Sequence, residues 1–595
     1  MDIGGFFTGR GGMVRTALVI WLFACAILLI QSPVWSAVYS ADTDDVMRLV
    51  QVRDLLAGQS WFNPDQSRAG PPAGFSMHWS RLPDALPALI IAMLTPLTGG
   101  WVAEQVAIGV APLVPLAGAL LACGLIARRL GGPSATAGAM ILFTMLGPAV
   151  WQFAPGRIDH HNWQLCGILG MLAGIMHLDR GARAGIAAAV AGAVSLSVGL
   201  EGLPFWGALS GCAGLAFAFL RGDARRGLLG FGAATAIATP LLALAFNPAR
   251  YVLSGACDQA AGPVLAAAMA GGAALALVAL INPASIGLRV GGVAAAGVAA
   301  AGAFLSVSPA CAAGPMALTN PAIGPIWMNL VVENYPLLRS LVSLGSFALS
   351  GIAALVLGFG SLVVLWRTRP QDRAAVLIAG AAFLIAVGLV FYQVRVMTYA
   401  VSLAAPLMGA GLAALVARLG VAPKDQGAAL IAGLLVLMAL PNAAGAAAGI
   451  LAPPAPVQRA GGAALKPADD ACWRPSAYRG LAHLPPGLAV APIDVGPFIL
   501  ESSGLSVLSA PYHRNAEGIL AAYDILAAPP ARALALARAR GVTYVVMCRT
   551  GQVARLDLTR PEGLAARLEA GQQVPGLLPL TGGAPVRVWR VAPHS

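Results

Sequence analysis

Three carboxylates crowd one another in Asp42-Thr43-Asp44-Asp45, and Arg48, Arg53 and Asp54 follow closely. Like charges packed this tightly repel, and a bound metal cation is a common way of compensating them. A plainer reading of the same residues is a solvated loop in which Asp42 or Asp44 caps a helix over Val46 to Leu56. Farther along, Gly156-Arg157-Ile158-Asp159-His160-His161-Asn162-Trp163 places two imidazoles directly after a carboxylate. That mixture of oxygen and nitrogen donors suits a divalent cation such as Mn²⁺. His and Trp are equally at home in the interfacial belt of a membrane protein.

Two more residues carry chemistry. Glu333, in Val331-Val332-Glu333-Asn334-Tyr335-Pro336, is the only acid in an otherwise apolar and neutral segment, where it either is solvated or reaches a site. Arg395 lies in Phe391-Tyr392-Gln393-Val394-Arg395-Val396-Met397-Thr398-Tyr399, where one apolar run ends and the next begins. A cation there needs an anionic partner, and either a lipid headgroup or a substrate phosphate would serve. Tyr512-His513-Arg514-Asn515, near the carboxyl end, reads as a surface turn, with a binding role as the alternative.

Helices must position these groups. Of the 595 residues, 58% are hydrophobic and only 10% charged, which excludes a water-soluble chain. Apolar runs of about 20 residues, enough to cross ~30 Å of hydrocarbon as a helix, recur from residue 16 to residue 450. The net charge is +12, yet the Arg residues sit mostly in short turns such as Arg128-Arg129, Arg180 to Arg183 and Arg367 to Arg373. That placement speaks against nucleic acid and for the positive-inside pattern of a polytopic membrane protein.

Placing the basic turns in the cytoplasm predicts about 13 transmembrane helices, an inner amino terminus and an outer carboxyl terminus. The transmembrane part spans 1-452, with large outer loops at 35-85 and 309-342. Every chemically interesting residue named above then falls on the outer face. Pro453-Pro454 and Gly461-Gly462 mark a linker, and beyond it apolar runs shorten to strand length at Gly487 to Ile493, Leu505 to Ala510 and Val542 to Cys548. Helix-like stretches at Ala516 to Ala527 and Ala531 to Arg540 alternate with them, predicting a small extracytoplasmic α/β domain over 453-595. Cys257, Cys311, Cys472 and Cys548 fall in outer segments, and of their three possible pairings Cys257-Cys311 with Cys472-Cys548 is the most local.

In the order and spacing of these motifs the chain resembles the catalytic subunit of oligosaccharyltransferases, polytopic glycosyltransferases of the GT-C type that use lipid-linked donors. Asp42 followed by Arg48 looks like that family's first-loop motif, and Gly156 to His161 is similar to the Gly-x-x-Asp-His-His form of its second. Val332-Glu333 before Pro336 resembles the fifth-loop motif ending in Glu. Arg395 with Tyr399 resembles the late-helix Arg, and Ile493-Asp494-Val495-Gly496 part of the Trp-Trp-Asp-Tyr-Gly sequence. The resemblance implies that Asp42, Asp159, His161 and Glu333 bind a divalent metal, Mn²⁺ or Mg²⁺, with Asp42 and Glu333 also orienting the acceptor. It implies that Arg395 contacts the pyrophosphate of a polyprenyl-linked glycan donor, and that Asp494 and Gly496 belong to the acceptor surface. Asp44, Arg48, His160 and Tyr399 stand beside these as secondary candidates. Both Trp of the terminal motif are replaced, by Pro492 and Ile493, and its Tyr by Val495, so the surface that reads an Asn-x-Ser/Thr acceptor lacks its aromatic groups.

The expected function is metal-dependent, inverting transfer of a glycan from a polyprenyl-pyrophosphate to an extracytoplasmic protein acceptor at a bacterial inner membrane, with membrane lipid as the surrounding partner. Transfer of a single sugar from a polyprenyl-monophosphate is the enzymatic alternative. A transporter or flippase of lipid-linked glycans is the alternative of another class, but it calls for acids inside the spans, and here they gather in outer loops. A noncatalytic scaffold is a third.

Overall fold

The computed structural model describes residues 11–36, 39–220, 222–422, 424–451, 470–581 and 585–593. The Pro453-Pro454 and Gly461-Gly462 linker, with the expected boundary at 452/453, lies outside them. The chain is a polytopic helical membrane protein. Among the described residues ten helices are long and apolar enough to cross a bilayer, or eleven if Pro133–Met145 and Gly147–Phe153, bent by 79° at their break, form one span. Reaching the expected thirteen takes the two shorter apolar helices Leu82–Thr98 and Ala182–Val198 as well.

Small residues let these helices approach closely, which is how packing is gained where lipid offers no hydrophobic drive. The helices Ala224–Phe246 and Gly262–Ile281 meet at Gly232 and Gly272, where a Cβ on either would come within 2.7 Å of the other's carbonyl oxygen. Met397–Arg418 is buried along nearly its whole length, and a Cβ at its Gly409 would lie 2.6 Å from the backbone nitrogen of Ala139. That enclosed helix begins immediately after Arg395, so the arginine is held at the end of the most deeply packed element.

One end of the bundle carries the long loops and a sheet. Within the first loop, Asp42 does cap a helix, Thr43–Leu56, and two short strands, β1 (Asp65–Gln66) and β2 (Phe75–Ser76), pair antiparallel. Beyond residue 470 lie β3 (Leu488–Val490), β4 (Ser506–Val507), β5 (Val542–Met547), β6 (Leu577–Thr581) and β7 (Arg587–Val591). Their order is β4-β3-β5-β7-β6, with β4, β3 and β5 parallel and β7 and β6 antiparallel additions. The helices Ala516–Ala527 and Pro530–Ala539 fall where the pattern placed them. The strands β6 and β7 went unpredicted because neither forms a continuous apolar run: Arg587 and Arg590 interrupt one, and Pro579 interrupts the other.

The first loop is stitched into this sheet. The Val507 amide donates to the Arg68 carbonyl and the Gly70 amide to the Val507 carbonyl, each at 2.8 Å, so residues 68–70 extend the β4 edge. The Arg68 guanidinium caps the carbonyls of Leu500 and Ser503 at 2.9 Å each. Val46, Met47, Val50, Phe75 and Trp79 share one apolar core with Cys472, Tyr478, Phe498 and Tyr512. An exposed edge strand and an isolated loop are thereby both avoided.

Tyr512-His513-Arg514-Asn515 is not a surface turn. Tyr512, His513 and Asn515 are buried, and Asp258 receives Arg514 Nε at 2.7 Å, Arg514 Nη2 at 2.8 Å and His513 Nε2 at 2.7 Å. A two-pronged guanidinium–carboxylate contact of this kind gives geometric specificity as well as energy. It fastens the sheet region to the segment before the helix Gly262–Ile281. The next residue back, Cys257, is disulfide-bonded to Cys311, and Cys472 is bonded to Cys548. Both expected pairings are present.

Candidate functional site

The site is built where the first-loop helix, the 153–160 turn, the Leu200–Gly202 turn, the Val332–Asn334 turn and the Arg395 turn meet. Arg157 joins the first two. Its Nη1 donates to Asp42 Oδ2 and to Asp45 Oδ2, both at 2.8 Å. Asp45 then accepts the backbone amide of Asp159 at 2.9 Å through its other oxygen. Asp42 Oδ1 caps the helix through the Asp44 amide at 3.1 Å, leaving its side chain 38% exposed. Both carboxylates of the first loop that touch Arg157 therefore have a structural task as well.

Asp159 is the convergence point. Its Oδ1 lies 2.5 Å from His160 Nδ1 and 3.4 Å from Arg48 Nη2, while its Oδ2 lies 2.7 Å from His161 Nδ1. The Oδ2 and Nδ1 atoms are buried, close in distance but misaligned for a hydrogen bond, and neither has another partner. Ligand atoms of Asp159, His160 and His161 all lie within 4.8 Å of one another. A buried carboxylate oxygen and imidazole nitrogen turned on one point without bonding each other fit a shared cation. The residues present thus fit the expected metal. Asp42 and Glu333, expected as ligands, are not part of this three-residue group.

Arg48 is wholly buried, with Nη1 on Asp84 Oδ1 at 2.9 Å and its guanidinium 4.4 Å over the Trp79 ring. Asp84 also receives Arg81 at 3.0 Å. Arg48 therefore acts as an internal brace beneath Asp159.

Arg395 closes the opposite side. Its Nη1 donates to Glu201 Oε1 and its Nη2 to Asn334 Oδ1, each at 2.8 Å, and Glu333 Oε2 stands 3.6 Å from Nη2. The Val394 amide donates to the Tyr335 carbonyl at 2.8 Å, which ties the Glu333 turn to the Arg395 turn. The Glu333 side chain is 53% exposed, so it is the most accessible acid of the group. Glu201 Oε2 lies 3.4 Å from His161 Nε2, so one carboxylate touches both the imidazole and the guanidinium. Tyr399 stacks on Phe205 with ring centroids 4.9 Å apart and reaches Gln164 Oε1 at 3.5 Å, a supporting wall of the site.

The carboxylates are not equivalent. Burial pushes the Asp44 carboxyl well above the usual range, and the charges of Asp159, Asp42 and Glu333 push the same way. Asp44 is thus within electrostatic reach of the expected ligands, among which the resemblance places Asp42 rather than Asp44. Burial would raise Asp42 too, but the Arg157 charge and hydrogen bond outweigh it and hold the group below its ordinary value. Asp159 is likewise buried, yet His160 and His161 hold it well below. Burial, partly opposed by Arg157, lifts Asp45 to about 7.

The sheet region contributes Asp494 and Tyr512. Burial, reinforced by the Asp42 charge, raises Asp494 to about 6, so the two acids sense each other across the junction. Tyr512 donates to the Thr43 carbonyl at 3.3 Å, packing its ring against Phe75 and Trp79. Gly496 opens the helix Gly496–Ser502, and a Cβ there would stand 2.2 Å from the Ser509 carbonyl oxygen. Its place in the motif is explained by close backbone packing.

Sequence reasoning passed over Asp45, Arg157 and Glu201 as site residues. A signal for Glu201 existed: an acid at the start of an apolar span is costly and calls for a partner. Nothing in the local sequence distinguished Asp45 from its two neighbouring acids.

No family model matches the sequence, and no curated protein matches it. Solved structures do. The archaeal oligosaccharyltransferase AglB from Archaeoglobus fulgidus, in complex with an inhibitory peptide and a dolichol-phosphate, matches with a TM-score of 0.64 at 14% identity, over 89% of this chain and 69% of that one. The oligosaccharyltransferase from the same organism in complex with Zn and sulfate gives 0.60 at 15% identity, over 92% and 70%. The form tethered to an acceptor peptide containing the NVT sequon gives 0.66 at 13%, over 97% and 74%. The chain shares the fold of these oligosaccharyltransferases.

Proposed function

We propose that this chain is an oligosaccharyltransferase-like enzyme that moves a glycan from a polyprenyl-pyrophosphate to an extracytoplasmic protein acceptor, with inversion at the sugar carbon. The observation that carries the reading is the chain of contacts from Asp159 through His161 and Glu201 to Arg395, which sets a cation-binding group beside a fixed guanidinium. That pairing is what departure of a phosphorylated leaving group requires. The archaeal structures bound to dolichol-phosphate and to Zn and sulfate support the same chemistry here.

In the reaction the acceptor nucleophile attacks the anomeric carbon and gives up its proton to the Asp42 or Glu333 carboxylate as the bond to the diphosphate oxygen breaks. Arg395 binds the diphosphate and stabilises the charge that gathers on it. Asp159 and His161, with Asp42 and Glu333 completing the set, would hold a divalent metal, Mn²⁺ or Mg²⁺, which would supply Lewis-acid stabilisation of that charge. Asp42 and the accessible Glu333 orient the acceptor, and Asp44, the crowded acid among them, is an additional ligand candidate. Arg157 and Asp45 hold the first-loop helix and Asp159 in register.

A protein acceptor fits the junction between Asp42 and Asp494, although Pro492, Ile493 and Val495 leave that surface without the aromatic groups that read a sequon. The location is a bacterial inner membrane with the sheet region, as a domain over 453-595, in the periplasm. Both disulfides lie at the loop-bearing end, as an oxidising compartment requires.

The purified protein, supplied with Mn²⁺, a polyprenyl-pyrophosphate glycan and an acceptor polypeptide, is expected to transfer the glycan and to stop when the metal is chelated. Asp159→Ala and Asp42→Ala should each lower transfer by about 100-fold or more. Unchanged transfer in both variants overturns the site. A transferred mass of one sugar from a polyprenyl-monophosphate replaces the donor assignment while leaving the site intact.

A further inference from the structure

Glu201 belongs to no expected motif, yet it is the link between the two halves of the site. It occupies the Leu200–Gly202 turn, directly before the helix Leu203–Phe219. Its two carboxylate oxygens are divided: Oε1 takes Arg395 Nη1 at 2.8 Å, and Oε2 faces His161 Nε2 at 3.4 Å. The other nitrogen of the same imidazole, Nδ1, faces Asp159 Oδ2 at 2.7 Å. His161 is therefore held between two carboxylates, with one ring nitrogen toward the candidate metal group and the other toward Glu201.

We infer that Glu201 is a positioning residue that fixes His161 as a metal ligand through its Nε2 side while it holds Arg395 for the donor phosphate. This rests on the metal reading given above. A ligating histidine donates its second ring N–H to a carboxylate or carbonyl, which sets the tautomer, orients the ring and raises its basicity as a ligand. With a metal bound, the neutral ring would keep its proton on Nε2 facing Glu201 and offer Nδ1 beside Asp159. Because the carboxylate also carries Arg395, a change at the metal side is felt at the guanidinium, so metal and lipid-phosphate binding are thermodynamically coupled.

The test uses the purified full chain in detergent micelles and Mn²⁺ alone as probe, read by titration calorimetry and by pulsed electron paramagnetic resonance of the imidazole nitrogen coupling. Glu201→Gln keeps the shape and removes the charge. It is expected to weaken Mn²⁺ binding by about 10- to 100-fold and to shift the nitrogen coupling that His161→Ala abolishes. Arg395→Gln is expected to weaken Mn²⁺ binding by clearly less than Glu201→Gln does, since it reaches the imidazole only through the carboxylate. Glu201→Ala, which also removes the charge, serves in place of Glu201→Gln should the latter not fold, with the same thresholds. Parent-like Mn²⁺ affinity and coupling in the Glu201 variant overturn the inference and leave the proposed function standing. Equal weakening in the Glu201 and Arg395 variants also overturns it, because Glu201 then acts only through Arg395. Failure of the parent to bind Mn²⁺ removes the metal reading and this inference together. For the coupling, adding a polyprenyl-phosphate should change Mn²⁺ affinity in the parent and not in Glu201→Gln; no change in the parent refutes that half.

Discussion

Asp45 accepts the backbone amide of Asp159 at 2.9 Å, across more than a hundred residues of chain. The first loop thereby fixes the height of the second-loop ligand, and Arg157 locks the same carboxylate from the other side at 2.8 Å. Removing Asp45 leaves a buried N–H without its acceptor and Arg157 with Asp42 as its remaining carboxylate partner.

Asp45→Ala should therefore destabilise the protein by about 3–5 kcal/mol, the scale for breaking a buried pair, whereas Asp45→Asn keeps an acceptor for the Asp159 amide and should lose less. Thermal unfolding in detergent distinguishes them. Parent-like melting of Asp45→Ala would show that the contact carries no weight.

Asp494 gives a pH signature. Its folded-state value of about 6 stands above the ordinary 3.8, so between those values the folded state binds more protons than the unfolded one. Stability from this group accordingly falls as pH rises through that window and stays lower above it. Asp494→Asn should be more stable than the parent at pH 7 to 8 by at most about 3 kcal/mol, and equal to it below roughly pH 4. Metal-free melting curves across pH check this, and a gain that persists at pH 4 contradicts the assignment.

Thiol labelling reads the covalent frame. Alkylation of the denatured, unreduced chain should modify Cys25, Cys123, Cys166 and Cys212 and spare Cys257, Cys311, Cys472 and Cys548. Label on any of the latter four counts against the pairing. Replacing both Cys257 and Cys311 by Ser should cost about 4 kcal/mol, the chain-entropy scale for the 54-residue separation.

The Asp258–Arg514 fork anchors the sheet region to the membrane part. Arg514→Ala should lower stability by about 1.5–3 kcal/mol and expose the Tyr512 segment to protease, because it leaves the largely buried Asp258 carboxylate with His513 as its remaining partner. A double-mutant cycle with Asp258→Asn should return a coupling above ~1 kcal/mol. Additive losses would mean that the two side chains act independently.

Much of the architecture was legible from residues 1 to 595 read in order. Apolar length has to become helix in a bilayer, because no water is present to satisfy the backbone, and this fixed the fold class. Strand-length runs bounded by turns gave β3, β4 and β5 and the two helices between them. A helix cap at Asp42 or Asp44, and the most local of three disulfide pairings, were legible as alternatives, and the folded chain selects Asp42 and that pairing. Strands β6 and β7 escaped because their apolar runs are broken by charge and proline.

The site divides in the same way. Sequence supplied the donor types, since Asp159, His161, Glu333 and Arg395 stand in short motifs whose residue types already state their chemistry. Tertiary structure alone decided which of them touch. Glu201 meets Arg395 across 194 residues, Arg157 meets Asp42 across 115, and Arg514 reaches Asp258 across 256. Contacts over such separations leave no period or spacing in the chain, because they arise from how helices and loops pack. For the first-loop acids, identity and order were written in the sequence. Burial and neighbouring charge, which only the folded chain creates, separated a helix cap at Asp42, a brace at Asp45 and a crowded carboxyl at Asp44.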